Sequence, residues 1–155
     1  MIKKTLACLF IQYYCLYNHC INKQGKVMAG INAQLTNHMQ SGLTDISVYQ
    51  KGQLYSIVKH RQQGDRWVYL LANQLRFCQS QGYKIHLPRP DTDTTLVWLE
   101  KLIQSGQTCA IFVEDLKLDE VRQKRLIQLC KQMDVMLVNL NSRKVTDNTL
   151  VYGPW

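Results

Sequence analysis

From residue 67 onward, short blocks of apolar residues alternate with amphipathic stretches, and this rhythm dictates most of the expected fold. WVYLLA (residues 67–72) is a continuous apolar run of strand length that follows the turn signal Gln63, Gly64, Asp65. Such a run marks a strand buried on both faces. Leu75, Phe77 and Cys78 predict a short helix closed by Gly82 at its C-terminus. YKIHL (residues 83–87) predicts a second strand, cut off by Pro88 and Pro90. Asp91 or Asp93 is then available to cap a helix carrying Leu96, Leu99, Leu102 and Ile103 at helical spacing, and Gly106 ends it. TCAIFV (residues 108–113) is a third buried strand. Asp119 and Glu120 open a helix whose apolar face is Leu126, Leu129, Cys130 and Met133, and VMLVNL (residues 135–140) follows as a fourth strand. Upstream, ISVYQ (residues 46–50) alternates like a short strand, and Leu54, Ile57 and Val58 mark one face of a short helix ending near Arg61.

Strands alternating with helices across short connections imply an α/β fold, a parallel sheet with flanking helices. A chain of 155 residues, 46% of them hydrophobic, suits one domain with a substantial core. That domain is expected over residues 42–155, ending in LVYGPW as either an edge strand or an exposed apolar tag. Residues 28–41 are polar and without period, the signature of a flexible lead. Residues 1–27 carry two lysines and an apolar run diluted by Gln12, Tyr13, Tyr14 and Tyr17. No small-residue cleavage site follows, and the run is too short to span a membrane. An alternative is that translation starts at Met28 of MAGINAQL and that the preceding residues are upstream sequence.

Charge and cysteine content narrow the picture slightly. The formal net charge is +8, but Lys3, Lys4, Lys23 and Lys26 fall before Met28, leaving 15 basic against 11 acidic residues and +4 for the remainder. So mild and scattered an excess reads as a solvated surface rather than a nucleic-acid or lipid footprint. The six cysteines form no CxxC pair and no Cys/His zinc spacing, which fits a reduced, cytoplasmic protein.

The chemical motifs expected of such a sheet are missing. Neither GxxxxGK[ST] nor GxGxxG occurs, so the backbone cradle that P-loop and Rossmann enzymes use for phosphates is absent. Glu114 and Asp115 stand at the carboxyl end of a buried strand, where RecA-like ATPases keep magnesium ligands. The simpler reading is that they precede a helix and are stabilised by its dipole; the rival is a degenerate nucleotide-dependent enzyme. His60 and His86 adjoin no triad pattern, and Cys78 and Cys109 have apolar neighbours instead of a basic cluster. No catalytic residue, cofactor or metal is expected.

GLTDISVYQ (residues 42–50), RWVYLLA (66–72), FCQSQG (77–82) and TLVWLEKLIQSGQTCAIFVEDLKLDE (95–120), in that order, resemble the bacterial SulA family of cell-division inhibitors induced by DNA damage. The resemblance spans roughly residues 42–141. It implies a RecA-like α/β sheet without a P-loop, no nucleotide hydrolysis, and binding to the tubulin-like GTPase FtsZ so that protofilaments cannot assemble. Position by position, it puts partner contacts on Arg66, Trp67, Phe77 and Lys84. Phe77 stands where the family commonly has a larger aromatic, and the helix before Arg66 is shorter than the family's. The resemblance also implies removal by the Lon protease, with Val151, Tyr152 and Trp155 as a C-terminal handle, and no nucleic-acid or membrane partner. Trp98, at the rim of its helix's apolar face, offers a homodimer contact. The alternative function is a RecA-like non-ATPase accessory that binds DNA in repair through Arg122, Lys124, Arg125 and Lys131.

Overall fold

The computed structural model describes residues 40–62, 64–78, 82–142 and 151–153, and these described residues form seven strands and three helices. These are β1 (Gly42–Ser47), α1 (Lys51–Arg61), β2 (Trp67–Leu71), β3 (Leu75–Phe77), β4 (Lys84–Leu87), α2 (Thr92–Gln104), β5 (Thr108–Glu114), α3 (Glu120–Met133), β6 (Met136–Asn141) and β7 (Val151–Gly153). Five strands form one sheet in the order β1-β6-β5-β2-β4, and β3 pairs with β7 in a second, two-stranded sheet. Every pairing is parallel. The α/β class follows from the helical crossovers that parallel neighbours require.

Side chains alternate across the sheet and divide the core in two. Val68, Leu70, Ala110, Phe112, Met136, Val138 and Leu140 pack with Leu54, Ile57 and Val58 of α1. Leu71, Ile111, Val113 and Leu137 point the other way, against Leu99 and Ile103 of α2 and Leu126 and Cys130 of α3. β5 lies at the centre, and all seven of its residues are buried. That is why TCAIFV carries no polar alternation: both faces are covered. Phe112 is the largest fully buried side chain.

Local signals fix the helix ends. Asp91 rather than Asp93 caps α2, accepting from the Thr94 amide at 3.1 Å and the Thr94 hydroxyl at 2.7 Å. Gly106, at φ +73°, lets the chain leave α2 in a left-handed conformation. Asp119 caps α3 through the Arg122 amide at 2.8 Å. Asp134 adopts φ +51° at the C-terminus of α3, and the Val135 amide returns to the Cys130 carbonyl at 2.9 Å.

Three expectations need correction. β1 begins at Gly42, four residues before the alternating run, because it lies at the sheet edge beside β6. There the Asp45 carboxylate accepts from Asn139 Nδ2 at 2.8 Å, so polar residues are tolerated in the strand. Leu75 to Cys78 do not form a helix; Leu75–Phe77 is β3. Apolar residues two apart suit one face of a strand as well as they suit a helix turn, and pairing with β7 decides between them. Gly82, at φ +87°, leads into β4 instead of capping a helix. Of the two readings of the C-terminal segment, Val151–Gly153 takes the strand; Trp155 and residues 1–39 lie outside the described residues.

Burial pushes the Cys130 thiol up to about 12 and raises Cys109 from its ordinary value of 9.0. The unfolded chain ionises first, so stability is intact below pH 9.0 and is lost as pH rises towards 12. Urea unfolding between pH 8 and 11 should therefore show stability falling at up to about 1.4 kcal/mol per pH unit for each such thiol, with a shallower fall in Cys130→Ala.

Candidate protein-binding surface

The carboxyl ends of parallel strands are where α/β sheets bind ligands, at the point where neighbouring strands send their connections to opposite faces. Here β2 and β5 are those neighbours. After β2 the chain turns to Leu75 on the α1 side, and β5 leads to α3 on the other. Glu114, only 6% exposed, fills the gap. Its Oε2 accepts from the Asn73 amide at 2.7 Å and the Gln74 amide at 3.3 Å. Backbone amides that could receive an external anion are occupied by a carboxylate from the chain itself. Asp115, at φ +45°, accepts from the Ser142 amide at 2.9 Å and from the Ser142 hydroxyl. The two acids thus fasten three loops together. Helix-dipole stabilisation is not their role, since α3 starts only at Glu120. Among the described residues no group of three or more metal-ligating side chains is assembled.

Three of the four residues expected to contact a partner head β2 and β4 at the opposite end of the sheet, Phe77 of β3 meets Lys84 there, and the four divide into three environments. Arg66 turns inward. Its Nη2 donates to the carbonyls of Thr108, Met133 (3.1 Å) and Asp134 (3.0 Å), and its Nη1 lies 3.4 Å from the Asp134 carboxylate. Arg61 Nη1 meets the same carboxylate at 3.0 Å. A guanidinium donating to the last carbonyls of a helix satisfies orphan acceptors and complements the negative end of the dipole. Arg66 therefore ties the head of β2 to the end of α3.

Trp67 packs edge-on against Tyr83, with ring centroids 5.1 Å apart and planes at 84°. It is half-buried and lies outside both core clusters. Tyr83 is 42% exposed. Lys84 Nζ lies 5.6 Å above the Phe77 ring, a cation–π arrangement. Burial lowers the Lys84 ammonium below its ordinary range, and Cys78 nearby opposes that shift. Tyr83 and Lys84, adjacent in sequence, join the two pairs on either side of β4. Tyr83 escaped sequence reasoning although its neighbour did not; the signal was an aromatic directly before a strand that begins with a lysine.

The basic run on α3 has a different character. Arg122 pairs with Asp93 at 3.1 Å and Asp119 at 3.2 Å, Lys124 with Glu120 at 2.7 Å, and Arg125 with Glu100 at 3.1 Å. Charges already paired with carboxylates make a poor track for a phosphate backbone. Trp98 packs against the α2–α3 core. No helix among the described residues is long and apolar enough to cross a membrane.

No family model matches the chain, and no curated protein sequence matches it. Among solved structures it is similar to the crystal structure of SulA from Pseudomonas aeruginosa, with 14% identity over 64% of this chain and 96% of that chain and a TM-score of 0.47.

Because Arg66 serves three carbonyls, Arg66→Ala should cost about 2 kcal/mol of unfolding free energy in urea, and Arg66→Lys should recover only part of it, since an ammonium lacks the planar fork. Glu114→Ala, which takes the carboxylate acceptor from the Asn73 and Gln74 amides, should cost about 1 kcal/mol; Glu114→Gln, which keeps an acceptor oxygen, should cost less.

Proposed function

We propose that this protein is a cell-division inhibitor of the DNA-damage response that binds FtsZ in the cytoplasm and blocks its polymerisation and septum formation. The observation that best supports the reading is that two aromatic contacts, Phe77 with Lys84 and Trp67 with Tyr83, lie at the same end of the sheet on the two faces of β4. Aromatic residues are enriched at protein interfaces, and Trp and Tyr are frequent among their energetic hot spots. The self-filled crevice at Glu114 adds to it, because a sheet whose anion-binding amides are taken internally suits binding better than nucleotide turnover. The ordered resemblance of residues 42–141 to the SulA family supplies the partner.

FtsZ subunits add head to tail, a heterologous contact that propagates only while the growing end is free. A protein covering that face withdraws subunits by mass action and needs no catalytic group. In this reading Trp67 and Phe77 are desolvated anchors and Lys84 is a charged complement. Arg66 holds the head of β2 in position and contributes its remaining exposed edge. Turnover by Lon through Val151, Tyr152 and Trp155 belongs to the same proposal. Tyr152 is 52% exposed, but the β7 backbone is tied to β3 through the Val151 amide and the Gly153 carbonyl. A protease must peel that strand away before threading it.

Titrating the full chain into FtsZ with GTP, followed by sedimentation and phosphate release, should remove polymer and assembly-dependent GTPase near equimolar ratio. Phe77→Ala with Lys84→Ala should weaken inhibition by about tenfold or more, while Val121→Ala, remote on α3, should leave it unchanged. Intact polymer at excess of folded wild-type protein would exclude the function; full inhibition by the double variant would exclude the site.

A further inference from the structure

β3 owes its form to a segment far away in the sequence. The turn before it is fixed by Glu114, which takes the Asn73 and Gln74 amides. Beyond Gln74 its ladder is with β7, its strand partner among the described residues. The Val151 amide donates to the Gln74 carbonyl at 2.9 Å and the Cys78 amide to the Gly153 carbonyl at 2.9 Å, so both ends of β3 are tied to β7. A pair of three-residue strands is marginal in water on its own and holds only while its inner face is covered. That cover is the α1 side of the main sheet. Leu75 is wholly buried there, and Val151 and Phe77 pack against the same cluster.

The register of this pair sets Phe77. Leu75 lies opposite Val151, Arg76 opposite Tyr152 and Phe77 opposite Gly153. Side chains alternate along each strand, so Leu75, Val151 and Phe77 turn towards the core while Tyr152, 52% exposed, turns out. Gly153 brings no side chain to the face of Phe77. The Phe77 ring is half-buried, with Lys84 Nζ 5.6 Å from its centre. The other half of the candidate surface is built differently. Trp67 heads β2, and the Tyr83 carbonyl accepts from the Val68 amide at 2.8 Å, so the Trp67–Tyr83 pair belongs to the main sheet.

We propose that β7 is a detachable strap that sets the binding competence of this surface. Docked, it forms β3 and seats Phe77 against Lys84; released, it dismantles that half of the surface while the five-stranded sheet and the Trp67–Tyr83 pair stay folded. A Phe77 without β7 has to be ordered at the moment of binding, at a cost in conformational entropy that the docked strand removes beforehand. Anything that captures the released strand therefore switches off recognition before the fold is lost. The effect on binding rests on the reading of Phe77 and Lys84 as partner contacts; the detachment itself does not.

Native-state hydrogen exchange of the full chain is the first arm of the test. The Val151 and Cys78 amides are expected to exchange about tenfold or more faster than those of Phe112 and Val138, through an opening that leaves the main sheet protected. Exchange of all four in one global event would overturn the strap. The second arm is Val151→Pro, which removes the amide that donates to Gln74. This variant should keep its near-ultraviolet spectrum and the protection of β5 and β6, and lose protection at Cys78. It should also inhibit FtsZ assembly about tenfold more weakly than the wild type, while Tyr152→Ser, altered only at an exposed side chain, should match the wild type in both respects. Global unfolding of Val151→Pro, or full inhibition by the folded variant after Cys78 has lost its protection, would overturn the proposal. Wild-type protein that leaves FtsZ polymer intact would exclude the functional reading, and the exchange comparison would still decide the strap.

Discussion

A parallel sheet leaves a crevice where neighbouring strands part company, and the fate of that crevice decides what the protein can be. Here the Glu114 carboxylate closes it, accepting from the Asn73 and Gln74 amides while almost wholly buried. The contact joins the carboxyl ends of β2 and β5, neighbouring strands in the interior of the sheet. Asp115 extends it to the end of β6 through Ser142. In nucleotide-dependent α/β proteins that region is left open for a phosphate or a metal; here it is part of the scaffold. In the proposed function, recognition falls to the rim of the sheet, at the amino ends of β2 and β4.

The amino ends are held by an equally local device. Arg66 joins β2 to the C-terminus of α3, and Asp134 brings Arg61 of α1 into the same cluster. The head of β2, and with it Trp67, is thereby held against α1 and α3, while Tyr83 meets Trp67 and Lys84 meets Phe77. A surface anchored in this way loses little conformational entropy on binding. Because Arg66 acts through the scaffold, loss of function on its removal cannot by itself mark it as a contact.

The buried strands and the caps were legible because their signals are local. WVYLLA and TCAIFV read as doubly covered strands, and Asp91, Gly106 and Asp119 mark helix ends by side-chain and backbone chemistry within one turn. What sequence could not supply was long-range. Leu75–Phe77 becomes a strand because Val151–Gly153 comes to lie beside it, some 75 residues away in the chain. β1 starts early because Asn139 accommodates Asp45. The same applies to the candidate surface. Phe77 and Lys84 meet and Trp67 is half-buried, but the inward turn of Arg66 depends on carbonyls of α3 and β5 that no local pattern reveals. Tyr83 gains significance only when β4 brings it against Trp67.

In the proposed function the amino ends of β2 and β4, with Phe77 at the carboxyl end of β3, carry recognition, and the crevice at Glu114 does not. Hydrogen–deuterium exchange of the full chain, alone and with FtsZ, tests this most directly. Added protection is expected at residues 66–68, 76–78 and 82–86, with exchange at Asn73 and Gln74 unchanged. Protection confined to the Asn73–Gln74 turn and residues 114–116, or to α2 and α3, would contradict it.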